Sequence, residues 1–284
     1  MMAASTTPWA QEKLREGSAH DDRYRRLRST SLRRYSPGDY EREVATPSYL
    51  DHSGVSGDVN AVFLARVSAL VRGRDPSAVR ILDYGCGMGK MSVYLAQQGF
   101  RNVYGFDLSR VGVAFGRELA ELHGLSDHVH LAAMDAEALG FPDDCFDLVF
   151  GKAVLHHTIK YARTARELWR VMKPGARAVF KENLGNNPLL RLGRFYTMHL
   201  RGQHGDVNIT SKMLAQYACR FSSVEVEAYH CFYMAKRLFW RAGEQAAWRK
   251  ATMRLLKWLD DHSVHRVPAL REMLCGDAIF TLVK

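Results

Sequence analysis

No stretch of this sequence comes near the roughly 18 consecutive apolar residues of a membrane-spanning helix, and its opening residues do not carry a secretory signal. Cysteine is sparse. Cys86, Cys145, Cys219, Cys231 and Cys275 are scattered, odd in number and without a C-x-x-C pair, so neither a disulfide framework nor a zinc site is indicated. Buried thiols in a reducing compartment are expected, and the chain reads as a cytoplasmic protein with no transmembrane segment. An aromatic-basic RNA-binding signature is missing too, and no metal is expected.

What the chain does have is length and positive charge. Its 284 residues fit one large α/β domain with additions, or one domain and a small cap. The formal charge of +10 gathers in Arg23, Arg25, Arg26, Arg28, Arg33 and Arg34, and again in Arg191, Arg194 and Arg201. Such clusters attract nucleic acid, anionic lipid or a phosphorylated substrate. Acids interleave the first cluster at Glu12, Glu16, Asp21 and Asp22, however, so an exposed helix face laced with ion pairs is the reading taken, and nucleic acid is disfavoured.

The organising stretch is Val79 to Gly99. Val79, Ile81 and Leu82 form a short apolar run that Asp83 closes; Gly85, Gly87 and Gly89 follow at alternate positions, and Met91, Val93, Tyr94 and Leu95 recur at helical spacing. This is a buried strand, a glycine turn and a helix. Glycines there let the backbone approach a ligand, and the helix points its free N–H groups at the same spot. A dinucleotide turn is spaced G-x-G-x-x-G around a pyrophosphate, whereas here the spacing is G-x-G-x-G behind an acid that would repel one. An acid at that place suits an ammonium group.

The same unit repeats. Asn102 to Phe106 is a second strand ending at Asp107, placed to accept from ribose hydroxyls, and Ser109 caps the helix after it. Val129 to Met134 is a third strand ending at Asp135; Leu148 to Phe150 is a fourth, followed by Gly151-Lys152-Ala153-Val154-Leu155-His156-His157. Lys173 to Ala176 is a turn into a fifth strand, Arg177 to Phe180, with Glu182 beyond it on the same rim as the other acids.

The glycine motif, the three strand-end acids and the phrases MDAEALGFPDDCFDLVF and ELWRVMKPGARAVFKE together resemble the class I S-adenosylmethionine-dependent methyltransferases, in their ubiquinone/menaquinone-type branch. The resemblance implies S-adenosyl-L-methionine as cofactor, held by Asp83, Gly85, Cys86, Gly87, Asp107, Leu108, Met134, Asp135, Ala136, Lys152 and His157, with the adenine amino group on Asp135. By the same resemblance the segment before the core is a lid, and Tyr40 and Tyr49 are its candidates; packing is the other role open to them. His156 and His157 are candidate bases or structural caps, and Glu182 a proton acceptor, an anchor for a substrate cation, an N-cap or an ion-pair partner. Tyr196, in an insertion where this family sets its specificity, is the candidate for stabilising a cation in carbon methylation. The missing metal cluster argues against the metal-dependent catechol type.

The implied fold is α/β: a Rossmann-like seven-stranded sheet in the order 3-2-1-4-5-7-6, its last strand antiparallel, with helices on both faces, an N-terminal helical lid and a helical cap insertion. Residues 1–57 are read as extension and lid, 58–183 as the cofactor-binding core, 184–223 as substrate-side insertion and helix, and 224–284 as the last two strands with intervening helices. Ser36-Pro37-Gly38-Asp39 reads as a turn. Tyr233 to Asp260, with Leu238, Phe239, Trp240, Trp248, Leu255, Leu256, Trp258 and Leu259, is read as helices packed on the sheet or cap in preference to a membrane-surface helix. The expected activity is methyl transfer to a small molecule at oxygen, nitrogen or carbon, in specialised or lipid metabolism. An RNA or protein methyltransferase and a non-catalytic partner of the same fold are the alternatives, and a homo-oligomer through the N-terminal helices is a further possibility.

Overall fold

A computed structural model describes residues 8–46, 57–188, 207, 209–235, 247–262 and 268–284. Three helices precede the sheet: α1 (Pro8–Ser31), α2 (Pro37–Ala45) and α3 (Gly57–Val71). The core follows as β1 (Arg80–Tyr84), α4 (Lys90–Gln97), β2 (Asn102–Asp107), α5 (Arg110–Leu122), β3 (Val129–Ala133), β4 (Phe146–Lys152), α6 (Leu155–Thr158), α7 (Thr164–Val171) and β5 (Met172–Asn183). Beyond it come α8 (Ser211–Tyr217), β6 (Ser223–Tyr229), a 3-10 turn (Phe232–Ala235), α9 (Ala247–His262), α10 (Pro268–Leu274) and β7 (Asp277–Val283).

The strands form one sheet in the order β3-β2-β1-β4-β5-β7-β6, with β7 antiparallel to both its neighbours and the other pairings parallel. Both faces are covered, which is why the strands read as nearly continuous apolar runs. Leu82, Tyr84, Phe106, Phe146, Phe180 and Phe280 point into one apolar layer, while Ile81, Val103, Leu148, Phe150, Val179 and Ile279 meet α3, α4 and α5 in the other. The parallel register aligns the carboxyl ends of β1, β2 and β3, with Asp83 beside Gly105 and Asp107 beside Ala133. One rim therefore carries the acids.

Three local expectations are corrected. Ser36 to Asp39 starts a helix: the Ser36 hydroxyl accepts from the Asp39 N–H, the Ser36 N–H donates back to the Asp39 carboxylate, and Pro37 fills the first helical position. Lys173 to Ala176 is a bulge inside β5, because Phe146 pairs with Met172 while Leu148 pairs with Arg177. In α9, Trp248, Leu255 and Trp258 are 58%, 55% and 53% exposed, so these side chains are not packed on the sheet. The buried face of α9 is narrow and polar at its end, where Asp260 accepts N–H groups from Cys231, Phe232 and Tyr233 of the 3-10 turn. Leu238, Phe239 and Trp240 lie outside the described residues.

Candidate active site

The turn after β1 brings Asp83 and Asp107 together beside glycine backbone. Asp83 is 5% exposed and accepts the Ser92 hydroxyl at 2.6 Å. Burial pushes its carboxyl up to about 7 against the pull of that hydrogen bond, and the neighbouring Asp107 charge adds to the rise. Such a carboxyl is short of a counter-ion. Asp107 accepts the Gly87 and Ser109 N–H groups, each at 2.8 Å, which leaves lone pairs on both oxygens. Burial likewise raises its pKa.

The glycines divide into two roles. A Cβ on Gly85 would stand 2.4 Å from the Val154 side chain, and one on Gly89 would stand 2.7 Å from Leu131, so both positions are emptied by neighbouring protein. Gly87, also at positive φ, faces α1, where the Tyr24 hydroxyl would meet its Cβ at 2.7 Å. Of the three, then, two are emptied by the core and one by the Tyr24 side chain of α1.

Helix α1 is the unexpected element. The charged N-terminal stretch is read from sequence as an exposed face, yet its side chains descend on one side of the rim, at Gly87, Ser109, Asp135 and His157. Lys13 donates to Asp135 at 2.7 Å and to Glu137 at 2.6 Å, and lies 4.4 Å from the centre of the Tyr161 ring. Glu16 pairs with His157, and Gly17 backs onto the Leu108 side chain. The His20 ring meets the His157 ring edge-on at 5.2 Å; Asp21 accepts the Ser109 hydroxyl; Tyr24 covers Gly87 and Gly112. Lys13, Glu16, His20 and Tyr24 recur at helical spacing, a polar stripe that apolar periodicity does not register. Helix α1 is thus held on the rim by polar contacts and ion pairs more than by apolar packing.

Glu182, at the end of β5, is wholly buried, and both its oxygens are used. Oε1 accepts the Val154 and Leu155 N–H groups, each at 2.6 Å, and Oε2 meets His156 Nδ1 at 2.8 Å. Burial alone would raise its pKa, but the His156 ring and the two N–H donors hold it below the usual carboxylate value. Glu182 thus caps α6 and orients a histidine; it is not placed to touch a substrate. With Nδ1 committed, Nε2 is the His156 atom left to take a proton. His157, next along, turns to α1.

The other candidates fall as follows. Tyr40 is buried on α2 in a cluster with Tyr35 and Tyr94, ring centres 5.9 and 5.0 Å away, which makes it a packing residue behind α4. Cys86 sits in the turn with its N–H on the Phe106 carbonyl; burial, with the two nearby acids, raises its thiol pKa. Met134 and Ala136 flank Asp135 at the end of β3, with the Met134 N–H on the Asp107 carbonyl. Lys152 ends β4, and Ala153 beyond it takes a left-handed φ of 54° as the chain turns into α6. Tyr49 and Tyr196 lie outside the described residues, as do Arg191, Arg194 and Arg201.

Comparisons with known proteins agree with this geometry. Residues 82–180 match the family described as a methyltransferase domain. The chain is 31% identical over 134 residues to a ubiquinone/menaquinone biosynthesis C-methyltransferase UbiE of Vibrio campbellii, covering 45% of this chain and 51% of that one. It is 40% identical over 99 residues to a probable chloroplastic tocopherol O-methyltransferase of Oryza sativa subsp. japonica, covering 35% and 27%. The matches thus span about half or less of those relatives' lengths. Among solved structures, geranyl diphosphate C-methyltransferase from Streptomyces coelicolor A3(2), in complex with Mg2+, geranyl diphosphate and S-adenosyl-L-homocysteine, aligns over 99% of both chains with TM-score 0.60 and 14% identity. The [4+2]-cyclase SpnF aligns over 81% of this chain and 82% of its own at TM-score 0.52 and 20% identity, so this likeness speaks of fold and not of reaction. It is with the methyltransferase domains that residues 82–180 belong, on the fold of the class I S-adenosylmethionine-dependent methyltransferases.

Proposed function

We propose that this chain transfers a methyl group from S-adenosylmethionine to a small organic acceptor, of the kind found in specialised metabolism. The observation that carries the reading is the pair Asp83 and Asp107: a buried and a half-buried carboxyl on neighbouring strand ends, one lacking a cation and one with lone pairs to spare, beside the Gly87 backbone that the Tyr24 side chain of α1 covers. Asp83 would take the cofactor's ammonium, and Asp107 its ribose hydroxyls. Asp135 would meet the adenine amino group, with Leu108, Met134 and Ala136 beside the ring and Gly85, Cys86 and Lys152 offering backbone.

The cofactor supplies a methyl group already activated on a sulfonium. What remains for the protein is orientation, exclusion of water and, for a weakly nucleophilic acceptor, removal of a proton. His156 Nε2 is proposed to take that proton, Glu182 holding the ring so that Nδ1 carries the hydrogen. Relatives are named for methylation at oxygen, carbon and nitrogen, the last being a phosphoethanolamine N-methyltransferase of Arabidopsis thaliana, so the acceptor atom is left to the residues outside the shared core.

Calorimetry with S-adenosylhomocysteine tests the reading. One site is expected, weakened at least about tenfold, or ~1.4 kcal/mol, by Asp107→Ala. No binding at saturating ligand removes the proposal. A screen of metabolite pools with methyl-labelled cofactor then identifies the acceptor.

A further inference from the structure

The exposed side chains of α9 fall in an ordered stripe. Trp248, Ala251, Leu255, Trp258 and His262 are all exposed and follow one another at steps of three and four, which sets them along one ridge of the helix. His262 stacks on Trp258 with ring centres 4.6 Å apart. Arg254, also exposed, flanks this ridge, while Lys257 lies further round the helix toward Asp260 and meets the Asp58 carboxylate at 3.3 Å. The opposite side holds Asp260, buried at 1% and fixed to the 3-10 turn, so the helix is anchored with its apolar ridge outward. Phe232 on that turn, and Leu270 and Met273 on α10, are exposed at 41%, 39% and 46%. Large apolar side chains are thus concentrated on the surface of the C-terminal third.

We infer that α9 is a membrane-docking helix, which lays Trp248, Leu255 and Trp258 into the headgroup region of an anionic bilayer while Arg254 meets the lipid phosphates. Tryptophan combines a large apolar body with a polar N–H and is favoured where one end of a side chain is dry and the other wet. A basic residue beside such a ridge supplies complementary charge, and a chain of formal charge +10 adds a general attraction to a negative surface. A protein partner with an acidic groove would need a shaped counterpart for the two indoles; a bilayer needs none. The inference does not depend on methyl transfer, and α9 contributes no residue to the rim of acids.

Flotation of the full chain with phosphatidylcholine vesicles, with and without phosphatidylserine, is the test. Wild type is expected to float with the phosphatidylserine vesicles, with its tryptophan emission shifted to the blue. The double variant Leu255→Ser/Trp258→Ser is expected to bind at least about tenfold more weakly, given the apolar area lost from the interface. Arg254→Gln is expected to weaken binding and lessen its salt dependence. All altered side chains are exposed, and an unchanged thermal melt verifies that the variants fold. No flotation with either vesicle, or equal flotation of the Leu255/Trp258 variant, overturns the inference. So does light scattering that finds a wild-type dimer which this variant dissolves, since the ridge is then an interface between copies.

Discussion

Tyr24 holds its hydroxyl 2.7 Å from the position a Cβ on Gly87 would occupy, so helix α1 and the glycine turn interlock only because residue 87 has no side chain. The backbone proposed to meet the cofactor is the backbone this tyrosine covers. Cofactor entry then requires α1 to rise. Tyr24→Ala is expected to speed association of S-adenosylhomocysteine about tenfold in stopped-flow fluorescence, the equivalent of ~1.4 kcal/mol of α1 contact removed. An unchanged rate would show that α1 does not gate the site.

Gly85 answers to protein rather than to ligand. Its φ is 75°, and an added Cβ meets Val154 at 2.4 Å. Gly85→Ala should therefore suffer both left-handed strain of roughly 1–2 kcal/mol and a clash. Adding Val154→Ala removes the 2.4 Å contact, leaving the strain and the residue 154 Cβ at 2.9 Å. Denaturant melts are expected to rank wild type above the double variant and the double above the single; a single variant as stable as the double would deny the contact.

Asp83 ties cofactor affinity to pH. Its carboxyl is raised from the ordinary 3.8 to about 7 by burial first and by Asp107, so the folded chain holds this proton more tightly than the unfolded one. The stability it contributes is full below 3.8 and is lost as pH rises through about 7. An ammonium ligand needs the ionised form. Affinity for S-adenosylhomocysteine should climb as pH rises to about 7, and binding below that value should release a proton. Calorimetry in buffers of different ionisation enthalpy reads the proton directly, and Asp83→Asn should abolish the release.

A second titrating group sits on the other side of β5. His230 lies between Asp277, at 3.2 Å, and Asp58, at 2.9 Å, while Lys181 meets the other oxygen of Asp277 at 3.2 Å. Burial lowers the pKa of the ring, but the hydrogen bonds and charges of the two acids outweigh it, and the net direction is up. Its contribution is thus present below the ordinary 6.5 and lost as pH rises through the raised value. His230→Asn is expected to cost roughly 1–3 kcal/mol in acid and to flatten this part of the pH–stability curve. A variant that keeps the wild-type slope would assign the whole slope to Asp83.

Glu182→Gln separates orientation from packing. A glutamine still offers one carbonyl oxygen to the Val154 and Leu155 N–H groups, but turns an N–H toward His156 Nδ1 in place of Oε2. That moves the ring hydrogen to Nε2 and removes the base. With an acceptor that must lose a proton, kcat should fall about 10²–10⁴-fold, as for His156→Ala, while cofactor affinity stays the same. If only His156→Ala slows turnover, Glu182 serves the loop alone.

Much of this was legible before any coordinates. Asp83, Asp107 and Asp135 close apolar runs one βα unit apart, and the parallel register places the ends of those runs on one rim. The closing strand, Asp277–Val283, was equally readable because its apolar run is continuous and covered on both faces. Less readable were segments whose chemistry is shared between structures. Ser-Pro-Gly-Asp opens turns and helices alike, and only the reciprocal bonds of Ser36 and Asp39 separate the two. Tryptophans at helical spacing on α9 fit a core or a surface equally well, and exposure chose the surface.

By itself, then, the order of residues determined the individual strands and the acids that close three of them, since strand periodicity and strand-end chemistry are local properties, while the strand order followed from the family resemblance. Which face of α1 meets the rim was decided by tertiary structure alone. Helix α1 is polar around most of its surface, and what selects its docked face is Asp135, His157, Asp107 and Leu108 converging from far along the chain; Lys13 and Asp135 are 122 positions apart. The same holds for Glu182, for which proton acceptor, cation anchor, N-cap and ion-pair partner stay open in the sequence until both its oxygens are found committed to Val154, Leu155 and His156.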